Sequence, residues 1–170
     1  MTTDTERTSI LKMLADQRDF LRHTVKGLDD EQASRRTTDS ELTLAGLVKH
    51  VTRVEEKWIR FAQDGPPAEP VDYEDPAVWK EQADSFTLSA GETLESTLAH
   101  YGRVAAATEE YVRSLPDLDA GHPLPEAPWF EQGAAWSVRD VLLHILRETA
   151  QHCGHADIIR ESLDGQKTMG

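Results

Sequence analysis

At 170 residues the chain is long enough for one domain with a sizeable core and short for two. Its formal net charge of -13, spread along the chain rather than gathered in a tail, argues against nucleic acid or an anionic membrane as a partner. The single cysteine, Cys153, excludes an intramolecular disulfide, the start MTTDTERTSI has neither a basic end nor an apolar core, and no apolar run approaches the ~18 residues that span a bilayer. Together these features predict a soluble cytoplasmic protein.

A first helix is predicted from Thr8 or Ser9, carrying Ile10, Leu14, Leu21, Val25 and Leu28 at helical spacing until Gly27 and the Asp29-Asp30 pair disturb it. His23, in its last part, complements the helix dipole. Residues 29–42 are polar, with one short helical turn expected at 30–34. A second long helix then runs from about Thr43 to Gln63 on the stripe Leu44, Leu47, Val48, Val51, Val54 and Trp58. His50 lies roughly 70° from the centre of that stripe, on a shoulder with Val54 and Phe61.

Four prolines between Asp64 and Pro76 stop the second helix. Residues 75–88 show no clear period, and Trp79 and Phe86 are expected to pin them to the core. Ser89 and Glu92 form a capping pair for a third long helix with Leu94, Leu98, Tyr101, Val104, Ala105, Thr108, Tyr111, Val112 and Leu115, which Pro116 ends. His100 falls off its stripe, on the surface. Residues 117–135 form a connection of the length typical of lids and binding segments. There Trp129 and Phe130, with Trp136, make either a hydrophobic wall at the start of the last helix or rings folded onto the core; His122 has no evident partner.

The last helix occupies WSVRDVLLHILRETAQHCGHADIIRESLDG, opened by the capping pair Ser137 and Asp140 and closed at Asp164-Gly165. Val138, Val141, Leu142, Ile145, Thr149, His152, Ala156, Ile159 and Leu163 share one stripe, with His144, Glu148 and His155 on its shoulder. No alternating strand pattern stands out. Four long amphipathic helices predict an all-α four-helix bundle with two long crossover connections, a single domain over 1–170 with its core at about 8–165.

Ionisable groups beside a buried face are costly unless paired or bound to metal. A metal ion in a bundle needs two ligands one turn apart on one helix and at least one from a facing helix. His152 with Glu148, His152 with His155, and His144 with Glu148 all meet the spacing, whereas Glu148 and His155 stand about 10 Å apart along the axis. In each case His50 is the partner from another helix, and spacing leaves the choice open. The competing reading pairs Glu148 with Arg53 or Arg147 and leaves a ladder that only pins helix register. Gly154, about 1 kcal/mol worse than alanine in mid-helix, hints at a close approach there. Cys153 points away from the ligand shoulder.

The stretches LTLAGLVKHVTRVEEKWIRF (42–61) and WSVRDVLLHILRETAQHCGHADIIRESLDG (136–165) resemble the DinB-like, YfiT-like superfamily of bundle metalloproteins, in particular an actinobacterial branch of unknown function that shares the last motif's signature. The resemblance runs from about Thr8 to Gly165, and the superfamily includes mycothiol-dependent maleylpyruvate isomerase and the mycothiol and bacillithiol transferases. It implies a metal held by a histidine of the second helix and two ligands four residues apart on the last: His50, Glu148 and His152. His155, His144 and Trp136 then become pocket residues. The implied cofactors are a divalent transition metal, zinc preferred and nickel also compatible, and a low-molecular-weight thiol such as mycothiol. The implied activity is a thiol S-transferase, in which the metal-activated thiol attacks an electrophilic small molecule. Alternatives are a non-enzymatic metal- or ligand-binding stress-response module and a metal-dependent hydrolase. The chain has no room for the isomerase's second domain, and leftover apolar helix faces predict a homodimer.

Overall fold

The helical periods fold into α1 (Thr2–Thr24), α2 (Asp30–Ala33), α3 (Leu44–Asp64), α4 (Pro76–Asp84), α5 (Leu94–Ser114) and α6 (Val138–Asp164). The structure, a computed structural model, describes residues 2–69 and 71–168; Met1, Pro70, Met169 and Gly170 of the expected 1–170 domain lie outside the described residues. Helix α1 packs on α6, α6 on α3 and α3 on α5, and α5 closes back onto α1. This is the expected four-helix bundle. The two helices that carry the histidine positions, α3 and α6, are therefore neighbours.

Two apolar layers fill the bundle. One holds Leu14, Ile59, Val112, Val141, Leu142 and Ile145, and the other Leu21, Leu47, Val48, Tyr101, Ala156 and Ile159. Between them runs a polar waist. Arg18 of α1 and Glu55 of α3, 2% and 1% exposed, form a two-pronged ion pair with Nη2 to Oε1 at 2.5 Å and Nε to Oε2 at 3.2 Å. Thr108 of α5 donates to the same carboxylate at 2.6 Å. Nη1 of Arg18 makes no hydrogen bond but lies 3.5 Å from Glu109 of α5, so a carboxylate faces each side of the buried guanidinium and three helices are tied at one level.

Several expectations need correction. Helix α1 begins well before Thr8, because nothing in TTDTER stops a helix even though nothing there is apolar. Thr93, in a capping box with Ser96, is the N-cap of α5; Ser89 and Glu92 do bond to each other, but in the turn ahead of the helix. Trp79 is 52% exposed, so α4 is not pinned to the core by it, and only Phe86 of the expected pair packs inward. A Cβ at Gly154 would meet nothing within 4 Å, so that glycine marks no close approach.

The connection from α5 to α6 contains a short antiparallel ribbon that alternation did not reveal: β1 (Gly121–Pro123) against β2 (Ala135–Ser137), with Gly121 opposite Ser137 and His122 opposite Trp136. Gly121 has to be glycine, since a Cβ there would lie 2.3 Å from the Trp136 carbonyl oxygen. The ribbon also caps α6. Val138 N–H donates to Ala120 O at 2.8 Å, Arg139 N–H to Leu118 O at 3.1 Å, and Asp140 N–H to Ser137 Oγ at 3.2 Å. Three of the four backbone donors that a helix start leaves unmatched are thus satisfied by neighbours. Arg139 completes the junction with bonds to Glu6 of α1 and to Asp119.

Candidate metal centre

His50 projects from α3 because Thr43 caps that helix and Leu44, Leu47, Val48 and Val51 bury the neighbouring face. Glu148 and His152 project from α6, one turn apart. The packing of α3 on α6 brings His50, Glu148 and His152 together, with one ligand-capable atom of each lying within 4.8 Å of the others. Both histidines are buried and Glu148 is half-buried. Of the pairs that spacing left open, the structure thus gathers Glu148 with His152. His155 stands beside the trio, its Nδ1 3.3 Å from Nδ1 of His152. His144 lies a turn away on α6, among Trp58, Trp136 and Arg147.

The tautomer of His50 follows from its neighbour. Ser85 Oγ donates to Gln82 O at 2.6 Å, so its single proton is engaged, and at 2.9 Å from His50 Nδ1 it accepts from that ring nitrogen. Nδ1 carries the proton, and Nε2 presents a lone pair. Phe86 stacks on the other side of the ring, 3.8 Å between centroids and 16° between planes, and fixes its plane. Burial pushes the His50 imidazole down to about 4, helped by His152 and Arg53, and burial together with His155 does the same to His152. Both are neutral at physiological pH. Two unprotonated imidazoles and a carboxylate on the wall of a bundle are the donor set a borderline divalent cation takes, with room for a further ligand.

The backbone that carries Ser85 and Phe86 is clamped onto α3 at two points. Lys49, 9% exposed, donates to Thr87 O at 2.8 Å, Ser89 Oγ at 3.0 Å and Glu92 Oε2 at 2.7 Å. That bond, with one from Ser89 N–H, holds the Glu92 carboxyl below the ordinary range. At Gly46 the Phe86 carbonyl comes so close that a Cβ would sit 1.9 Å from its oxygen. Sequence reasoning missed Ser85 and Lys49, and it placed Phe86 against the core without linking it to His50. A lysine inside the buried run LAGLVKHV was the available signal.

The aromatic residues expected as a wall do form one. Trp58 lies 4.7 Å from both Trp136 and His144, and Phe130 5.7 Å from Trp136, measured between ring centroids. Arg147, which can only donate, gives a hydrogen bond of 2.8 Å to His144 Nδ1, so the proton of that ring is on Nε2. Burial lowers the His144 pKa. His122 packs against Phe61 and over Gly65, away from the trio. Arg53 pairs with Glu81 rather than Glu148, while Arg147 comes within 3.6 Å of Glu148.

A helical bundle closed in this order, with two histidines and a glutamate meeting from adjacent helices, defines the DinB- and YfiT-like class of four-helix bundles. More particularly, the chain belongs to the mycothiol-S-transferase family, whose model matches residues 9–165. Among solved structures, a conserved protein from Enterococcus faecalis is 14% identical over 94% of this chain and 97% of its own, with a TM-score of 0.67. YfiT from Bacillus subtilis, described as a probable metal-dependent hydrolase with an unusual four-helix bundle topology, is 16% identical over 89% and 86%, with a TM-score of 0.60. At such identities the likeness is one of fold. No curated protein matches the sequence. Among the described residues no helix is long and apolar enough to cross a membrane.

Proposed function

We propose that this protein is a metal-dependent S-transferase that joins a low-molecular-weight thiol, mycothiol by the family's description, to an electrophilic small molecule. The observation that carries the reading is the meeting of His50, Glu148 and His152, two neutral imidazoles and a carboxylate on two packed helices, beside an aromatic wall. A divalent cation on these three side chains, zinc by preference and nickel by the same donor chemistry, supplies the Lewis acidity that holds a thiol as thiolate near neutral pH.

The chain's own groups do the rest. Ser85 and Phe86 keep Nε2 of His50 aimed at the trio, and His155 orients His152 through its Nδ1. Trp58, Phe130 and Trp136 exclude water from the His144 side, where a thiolate would otherwise be hydrated and less reactive. In the transfer, a sulfur–carbon bond forms while the displaced electron pair departs with a leaving group or, at an activated double bond, moves to the neighbouring carbon, which takes up a proton; the thiol's own proton passes to solvent.

The test is elemental analysis of protein purified without a metal-affinity tag, with His152→Ala beside it, followed by mass spectrometry of products from a panel of thiols and alkylating electrophiles. About one equivalent of metal, lost in the variant, together with thioether formed only by the loaded wild type, is the expected result. Equal metal in both proteins, or thioether at the uncatalysed rate, overturns the reading.

A further inference from the structure

A cavity of about 730 Å³ opens beside the trio, with His50 and Ser85 at its inner end. One wall is the face of α3 that carries Arg53, Lys57 and Arg60, spaced by four and three residues so that they share one side of the helix. In a chain with 18 basic and 31 acidic residues, three cations along two turns run against the general charge. The carboxylates on the same wall are occupied: Glu81 holds Arg53 at 2.8 Å, and Glu56 lies 4.0 Å from Arg60 and 3.8 Å from His100. Lys57 has no ion pair or hydrogen bond among the described residues.

Two tryptophans complete the cavity, and both are half open to solvent, Trp79 at 52% and Trp129 at 56%. Neither ring is loose. Trp79 Nε1 donates to Tyr73 O at 2.9 Å, and Tyr73 meets Trp129 edge-on at 4.7 Å between centroids. Two apolar faces held in place and left uncovered beside an exposed, unpaired ammonium form a patch suited to a ligand that has both an apolar face and an anionic group.

We infer that this cleft binds an organic carboxylate with a planar, unsaturated body, and that the electrophilic substrate belongs to this class. The carboxylate sits on the Arg53–Lys57–Arg60 wall, where cations in a cleft attract and orient an anion. The planar body lies against Trp79 and Trp129, which directs its far end toward His50. The assignment of this ligand as substrate rests on the S-transferase reading; the binding itself needs no metal.

The test is calorimetric titration of the protein as purified with cinnamate and with its neutral isostere cinnamamide. Cinnamate is expected to bind roughly tenfold more tightly than the amide. Lys57→Gln is expected to weaken cinnamate about fivefold without changing the amide, Lys57→Arg to restore it, and Trp129→Ala to weaken both. Equal affinity for acid and amide, indifference to Lys57→Gln, or no binding of either overturns the inference. His152→Ala separates the two readings. Cinnamate binding kept in that variant places the anion in the cleft whatever the fate of the metal, whereas binding lost there but kept in Lys57→Gln puts the carboxylate on the metal and overturns the inference.

Discussion

Substituting Gly46 by alanine tests the clamp on His50 most directly. Gly46 is the third residue of α3, and in a helix the change alone would favour folding by at most about 1 kcal/mol. Here the new Cβ would fall 1.9 Å from Phe86 O, 2.7 Å from Phe86 C and 2.9 Å from Thr43 Oγ1, roughly 1.5 Å short of ordinary contact with the first. Backbone atoms cannot swing away as a side chain would, so the segment must lift from α3. Overpacking of this kind costs about 1–3 kcal/mol, and the net loss after the helical gain is about 0–2 kcal/mol, or a Tm lower by up to roughly 8 °C for a chain of this size. Because Phe86 stacks on His50 and Ser85 accepts from it, the same lift loosens the His50 imidazole. Metal affinity, measured by competition with a chromophoric chelator, is expected to fall at least ~10-fold, in line with the loss of an orienting partner. An alanine variant with wild-type Tm and wild-type metal affinity would refute the argument.

Gly154→Ala carries the opposite sign: with open space at that Cβ, thermal or urea unfolding should show a gain of about 0.5–1 kcal/mol, and a loss would mean that something does approach there. Glu55→Ala leaves the Arg18 guanidinium buried with no carboxylate closer than Glu109 at 3.5 Å and should cost about 3–5 kcal/mol, while replacing both partners by apolar residues, Arg18→Met with Glu55→Leu, should cost far less; equal losses would show that the pair itself carries no cost of isolation. The pH profile of the chelator-treated protein follows from His50 and His152, both held down to about 4 from 6.5. Their contribution is complete above the unfolded pKa and is lost as pH falls from about 6.5 towards 4, because the unfolded chain takes up protons that the folded one refuses. Allowing for solvent reaching the cleft, the pair should lose on the order of 2 kcal/mol between pH 7 and 5 in urea titrations, and a flat profile across that window would contradict the burial argument.

Much of the bundle could be read from local pattern. Every position from Val138 to Ile159 assigned to the buried stripe of α6 is buried, because a helix of that length repeats its face often enough for a period to show. Ser137 with Asp140 and the Asp164-Gly165 end were equally legible, since caps are written within four residues. The meeting of His50 with Glu148 and His152 was half legible: each helix presented its ligand-type residues on a shoulder, but which pair would meet depends on how α3 and α6 are rotated against each other.

What escaped notice was non-local or short. Strands of three residues have no period to detect, and β1 and β2 are fixed by the path between α5 and α6 rather than by their own side chains. Ser85 and Phe86 reach His50 only after the chain has left α3 and returned. Arg18 lay in plain view between Leu14 and Leu21 on one stripe, and Glu55 between Val51 and Ile59; a charge in the middle of each stripe was the signal of the polar waist.

The ribbon has a consequence for how this architecture can diversify. Because Gly121–Pro123 and Ala135–Ser137 pair at the base of the loop, and Leu124 N–H bonds to Ala134 O just beyond them, both ends of the 124–134 segment are pinned together before α6 begins. Lengthening, shortening or resurfacing that segment changes loop-closure entropy only slowly with its length and transmits no displacement to Ser137, Glu148 or His152. Trp129 and Phe130 ride on this insulated segment, whereas the ligand-type side chains ride on the helix behind it. Selection can therefore retune what enters the cleft by drift in one loop while the chemistry at the end of it stays fixed.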